Sequence, residues 1–213
     1  MSDKWKDVTS ILQFGLESQK NIADLNKVTS EIIKKRDYDE VLGCVQELMN
    51  VAKEESRLPL VEKERRLDKL QEKFEKYRIE LAMEGKLLRE LRATNDAYAS
   101  KIDAEIKEAE EYRKKVLPTE GRNGDVRARN DLLKKRLYEL MTSRTVAQNF
   151  SAQIKLSEEN CTTMSDRIWN VAVTTLPLLR GRISMETGKT VIAKTQEMLR
   201  ANLKGMKEVR DNS

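Results

Sequence analysis

The chain has 213 residues, of which 36% are charged and 5% aromatic, with 8 glycines and 3 prolines, a balance that argues against a rounded aromatic core and for long, solvent-washed helices. The formal charge of +5, from 41 basic and 36 acidic residues, is too mild to demand nucleic acid or a membrane surface by itself. Histidine is absent, which removes the commonest metal ligand and the usual general base. Disorder is the competing reading of so many charges, but the apolar residues keep helical spacing instead of scattering. Cys44 and Cys161 lie far apart and form no CxxC pair, as expected of reduced thiols packed as small apolar side chains in a cytoplasmic setting. The opening MSDKWKDVTS has no apolar core of a signal peptide. The longest weakly polar run, residues 171–179, is nine residues against the roughly 20 that a membrane helix needs. The expectation is a soluble protein.

In chain order, the spacing predicts a first helix over residues 4–35, with Val8, Ile11, Leu12, Leu16, Ile22, Leu25, Val28 and Ile32 as its apolar stripe and Gly15 as a weak point. Asp37 with Glu40 has the form of a capping box for a second helix through Val41, Leu42, Val45, Leu48 and Val51. Pro59 suits the first turn of a third. From there Leu60, Leu67, Phe74, Leu81, Leu88, Asn95, Ile102, Ala109 and Val116 recur at intervals of seven, with Leu70, Tyr77, Leu91, Tyr98 and Tyr112 three further on. This is the seam of a helix that faces a partner helix. Leu117-Pro118 ends it, TEGRNGD reads as a loop, and Asp125 is placed to cap the next helix.

That next helix repeats the pattern with Leu133, Leu140, Ala147, Ile154, Cys161 and Ile168. Two long helices joined by a short loop fold back on each other. The expected fold is all-α: a long antiparallel, coiled-coil-like hairpin over residues 59–183, N-terminal helices of residues 1–58 packed along it, and a C-terminal helix and tail over 184–213, forming one continuous elongated bundle. With the turn near Gly121 and Arg122, facing residue numbers sum to about 243, which puts Asn95 and Tyr98 opposite Gln148 and Arg144, and Glu84 opposite Asn160 or Glu159. Large polar groups on a buried seam cost stability unless each finds a partner. Asn95, Tyr98, Arg144, Gln148, Gln153 and Asn160 therefore mark either register or recognition. Pro177 is expected to kink or end the long helix. A last helix over residues 184–208 has Val191, Met198 and Leu203 as its apolar face.

Other constellations carry less. GRISMETGKT separates Gly181 from Gly188 by six residues where a phosphate-binding loop has four, and no strand precedes it. Paired carboxylates on charged helix faces read as solvated, and no base stands out to activate either cysteine. No catalytic residue, metal ligand or cofactor is expected, nor a small-molecule substrate. The hairpin tip is the one charge asymmetry: Arg113, Lys114, Lys115, Arg122, Arg127, Arg129, Lys134, Lys135 and Arg136 face only Glu120, Asp125 and Asp131, leaving residues 113–136 at +6. Such a tip could meet an anionic membrane surface, nucleic acid or an acidic protein, although few aromatics flank it for base stacking.

The run RLYEL…R…QIKL…EN…IW…TTLPLLRGRI resembles the toxic anion resistance family, the TelA-like proteins linked to tellurite resistance. Matching positions include Arg136, Leu137, Tyr138, Leu140, Arg144, Gln153, Ile154, Leu156, Asn160, Ile168, Thr175, Pro177 and Leu178. ILQFGLESQKNIADL and LRATNDAY resemble upstream segments of the same family. Members are usually longer, and Leu179 stands where a tryptophan is often found, so the resemblance implies a short or truncated member. It also implies a cytoplasmic bacterial protein associated with tellurite or cell-envelope stress and without an established enzyme activity; a place peripheral to the membrane is the alternative that the basic tip leaves open. The expectation is a non-enzymatic protein acting through other proteins or by self-association. Direct oxyanion or metalloid binding through Arg144 or the thiols is the alternative, with an anionic-surface scaffold acting through the tip as a third reading.

Overall fold

Few breakers and apolar positions at helical spacing leave the chain little choice but helix, and the fold is all-α. The computed structural model describes residues 5, 7–36, 38–53, 59–116, 124–185 and 189–212, with no strand among them. The helices pack into two compact units, Met1–Ile32 with Arg89–Lys155, and Ile33–Leu88 with Leu156–Ser213.

In the first unit, the single helix expected over residues 4–35 is broken. Asp7 accepts from the Ser10 N–H at 3.0 Å and caps α1 (Val8–Gln13), a bond that holds the Asp7 carboxyl below its ordinary value. Gly15 then takes φ 71, a left-handed conformation that residues with a Cβ seldom adopt, and α2 (Leu16–Lys34) starts behind it. At the break Arg136 donates from its Nε to the Phe14 carbonyl at 2.5 Å while its Nη1 pairs with Glu139 at 2.7 Å. The reset of helical phase also overturns the expected stripe: Ile11 and Ile22 are buried, but Val8, Leu12, Leu16 and Val28 are 45–52% exposed. Ser18 and Thr29 complete the buried line. Both hydroxyls are satisfied, Ser18 donating to the distant Glu105 Oε1 at 2.8 Å and Thr29 to the Leu25 carbonyl one turn back at 2.8 Å.

The seven-residue seams hold in α4 (Leu60–Glu111) and α5 (Gly124–Asn170). Leu67, Phe74, Leu88, Ile102 and Ala109 on α4, and Leu133, Leu140, Ala147, Ile154 and Ile168 on α5, are fully buried. Leu60, at the start of α4, is instead 49% exposed. In the first unit the antiparallel register falls within a few residues of the one expected: Asn95 Nδ2 donates to the Ala147 carbonyl at 2.7 Å, Ser151 to Asp96 at 2.7 Å, and Arg144 Nε lies 3.2 Å from Asp103. Trp5 anchors this unit, its ring 4.6 Å from Phe14 and stacked at 5.2 Å on Tyr112.

The ends of the elements depart from expectation in ways that follow from hydrogen bonding. The Pro59 carbonyl accepts from the Glu62 and Lys63 N–H groups, placing Pro59 just ahead of α4. Asp125 sits inside the first turn of α5 rather than capping it, where its charge still favours the positive end of the helix dipole. Asp37, the loop of residues 117–123 and its Arg122 lie outside the described residues. Pro177 has no N–H, and its ring would clash with an α-helical carbonyl four residues back. The chain absorbs this in a widened π turn, Val171–Thr175, where the Leu176 N–H reaches back to the Val171 carbonyl. Helix then continues through Pro177 in the first turn of α6 (Leu176–Met185).

In the second unit, α3 (Asp39–Lys53) buries Val41, Leu42, Cys44, Val45, Leu48, Met49, Val51 and Ala52. The last helix, α7 (Lys189–Asp211), starts later and ends later than expected. Its buried line is Thr195, Leu199, Met206 and Val209. Met198 and Leu203 are half-buried beside that line, and the Val191 side chain is outside the description. Arg210 Nη1 ties α7 to Asp39 at the start of α3 at 2.9 Å.

Candidate interaction surface

The outward positions of a helix in a bundle are normally charged, and α4 obeys this at Glu62, Arg65, Arg66, Asp68, Lys69, Glu72, Lys73, Glu75 and Lys76. Leu60 and Val61 at the very start of the helix are exceptions, 49% and 77% exposed, and further along the rule fails again. Ile79 and Met83 are 55% and 69% exposed, and Leu87 and Ala82 are exposed with them. In the same unit the end of α5 presents Trp169 and the π turn presents Val173, both 47% exposed. Ile79, Trp169 and Val173 line one groove, closed at its base by the fully buried Phe74 and Ile168 and flanked by Gln71, Glu75, Arg78 and Ala172.

Each part of this groove has a local cause. Trp169 follows the seam residue Ile168, so the helix turns its side chain about 100° out of the seam. The Arg78 guanidinium stacks 4.4 Å over the Trp169 ring, fixing an exposed indole face by a cation–π contact worth about 0.5–1 kcal/mol at such a site. Arg180 on α6 braces the neighbouring turn of α4, donating to Asp68 at 2.6 Å and to Gln71 at 3.0 Å. Two of the lining residues, Ala172 and Val173, belong to the π turn; such widened turns recur at functional sites. The groove holds about 160 Å³, below the roughly 300–1,000 Å³ of small-molecule sites. It has room for one or two side chains of a partner.

No protein-family model matches the chain, no curated protein matches it, and no solved structure matches it. The surface therefore stands on its own geometry.

The residues expected to form a polar seam are dispersed. Asn95 is fully buried and Asn160 nearly so, its Nδ2 donating to the Asn212 carbonyl at 3.4 Å. Tyr98 is half-buried against the core of the first unit. Gln148 and Gln153 are exposed, because each neighbours a seam residue, Ala147 or Ile154, and a one-residue step turns the side chain away. Arg144 is half-exposed and paired with Asp103. Asn95 thus meets the backbone at Ala147 instead of the Gln148 side chain.

The basic tip is likewise partly spoken for. Lys114 and Lys115 pair with Glu110 and Glu111 one turn back at 3.4 and 3.6 Å, Lys134 pairs with Asp131 at 3.2 Å, and Arg129 Nη1 donates to the Trp5 carbonyl at 3.4 Å. Arg136 is buried at the Phe14 break. Arg113 is half-buried, while Arg127 and Lys135 are exposed.

A buried ion pair that the sequence did not flag lies in the second unit. Arg36, its side chain 3% exposed, binds Glu84 at 2.6 Å and donates to the Ser157 carbonyl at 3.2 Å. Glu84 was expected against Asn160 or Glu159; the cation from the segment between α2 and α3 takes that place, which hairpin register alone could not foresee. Burial pushes the Cys44 thiol up, and raises Cys161 from 9.0 to about 11. Both are therefore held away from the nucleophilic thiolate form. No group of three or more metal-ligating side chains is present among the described residues, and no described helix is long and apolar enough to cross a membrane.

Proposed function

We propose that this chain is a non-enzymatic helical protein that works by binding other proteins, in the cytoplasm of a bacterium, as part of resistance to tellurite or of the response to cell-envelope stress. The observation that carries the binding role is Trp169: a half-exposed tryptophan, held by Arg78 over a side-chain-sized groove beside Ile79 and Val173. Tryptophan and arginine are among the residues most enriched where truncation costs a protein interface most, and exposed apolar residues grouped together, as Trp169 is with Ile79 and Val173, mark interaction sites more than single ones do. The resemblance of residues 136–178 to toxic anion resistance proteins supports the biological setting. Pairing of Arg144 with Asp103 and burial of both thiols favour this reading over direct oxyanion chemistry.

The test is capture of partners by the tagged protein in its host, with and without tellurite, comparing wild type with Trp169→Ser and with Arg144→Ala/Asn160→Ala. The expected result is one partner lost in Trp169→Ser at unchanged melting temperature, a loss of about thirtyfold or more in affinity for a central tryptophan, together with tellurite sensitivity. A partner that survives Trp169→Ser and is lost in the folded Arg144→Ala/Asn160→Ala protein would move the site to the seam residues.

A further inference from the structure

Arg78 is a cation that the fold holds in place and leaves unpaired. Its guanidinium lies 4.4 Å over the Trp169 ring at the edge of the groove. Among the described residues it makes no ion pair and donates no hydrogen bond. An aromatic face attracts the charge of a guanidinium but gives its five N–H groups no oxygen to bond. The fork of donors therefore stays available to an acceptor from outside the chain.

A carboxylate three or four residues away on the same helix would ordinarily take that fork. Phe74, Leu81 and Ala82 occupy three of those four positions, and Glu75 occupies the other. Glu75 is drawn the opposite way. Its Oε1 accepts from Gln71 Nε2 at 3.1 Å, one turn back. Gln71 is fixed in turn by Arg180 on α6, which donates to Gln71 Oε1 at 3.0 Å and to Asp68 at 2.6 Å. Residues on α4 and α6 thus keep the neighbouring carboxylate off Arg78, while Trp169 on α5 holds the guanidinium beside the apolar groove.

We infer that the groove recognises an acidic side chain, Asp or Glu, of a partner protein, set next to a large apolar one. The inference rests on the reading of the chain as an interaction protein and names the chemistry of its partner. The carboxylate takes the Arg78 fork, a pairing whose two parallel N–H···O bonds make it stronger than a point-charge contact. The apolar neighbour lies between Ile79 and Val173, over the buried Phe74 and Ile168, and excludes water from the ion pair. Because Trp169 has already placed the cation, less side-chain freedom is lost on binding.

Selection of displayed random peptides on the full chain, with the Trp169→Ser chain as counter-selection, reads this preference directly. The expected sequences carry Asp or Glu next to a large apolar residue. Changing that acid to its amide weakens a selected peptide on the wild type by about tenfold or more in calorimetry. On Arg78→Gln the same change in the peptide alters binding by less than about twofold, the coupling expected of a direct contact. Arg78→Lys keeps the charge without the fork and loses most of the same affinity. Glu75→Gln binds at least as tightly as the wild type. Melting temperatures of these variants stay put, because neither Arg78 nor Glu75 belongs to the core. Selected peptides without an acid, an acid whose loss is felt equally by wild type and Arg78→Gln, or weaker binding by Glu75→Gln overturns the inference. If binding in those cases still depends on Trp169, the binding function stands. A selection that yields no Trp169-dependent peptide also overturns the inference, and capture with Trp169→Ser then decides the binding function separately.

Discussion

At Gly15 one residue decides how two helices begin. Its φ of 71 lies in the left-handed region, and a Cβ there would sit 2.6 Å from Leu140 Cδ2, a side chain that is itself fully buried. Strain and overpacking add, so Gly15→Ala should lower stability by about 2–4 kcal/mol in chemical denaturation. A change below about 0.5 kcal/mol would mean that the break is not rigidly held. Cys161 makes a second prediction. Burial raises its thiol from 9.0 to about 11, so between those values the folded chain keeps a proton that the unfolded chain has lost. This contribution to stability is complete below pH 9 and is lost as pH rises through about 11, amounting to roughly 2–3 kcal/mol. Tyr77, also raised by burial, adds to the alkaline slope in the wild type. The reading is therefore the difference: denaturation midpoints of wild type and Cys161→Ala, compared at pH 8 and pH 11, should converge at the higher pH. A gap that stays constant would show that the thiol titrates at its ordinary value.

At the scale of elements, the long seams were legible because a seven-residue apolar repeat can be satisfied only by one helix face against another. The end of each seam was not, because hydrogen bonding and backbone strain decide it: a π turn ahead of Pro177, a left-handed glycine ahead of α2. The buried line of α2 was hidden by chemistry, since Ser18 and Thr29 look like surface residues until their donors are counted. Gln148 and Gln153 sit one step from the seam in α5 and are exposed. The proposed surface is marked by the converse pattern, apolar residues such as Ile79, Met83 and Trp169 where charges were due. Asn95 is the polar residue that does occupy the seam, with Nδ2 bound to the Ala147 carbonyl. A lone seam asparagine fixes register at a cost in stability. Asn95→Leu should leave the melting temperature equal or higher, whereas Asn95→Asp buries a carboxylate against a carbonyl and should cost about 3 kcal/mol or more. Equal behaviour of the two variants in thermal melts would show that position 95 is hydrated.

For the molecule as a whole, the functional question reduces to which exposed features have no structural employment. The +6 of residues 113–136 has lost Arg129 and Arg136 to contacts with backbone carbonyls, and three of its lysines to carboxylates on their own helices. The tip should therefore bind anionic vesicles or DNA weakly, and a steep fall of strong binding with salt would contradict that. Trp169, Ile79, Val173 and Met83 have no such role in the fold. The most direct test is site-specific photo-crosslinking in living cells, with a photoreactive phenylalanine analogue in place of Trp169 and, as a control on the other unit, in place of Tyr138, which is 73% exposed. A discrete crosslinked protein from position 169 that is absent from position 138 is the predicted result. No crosslink at 169, or the same products from both positions, would contradict the assignment of this surface to protein recognition.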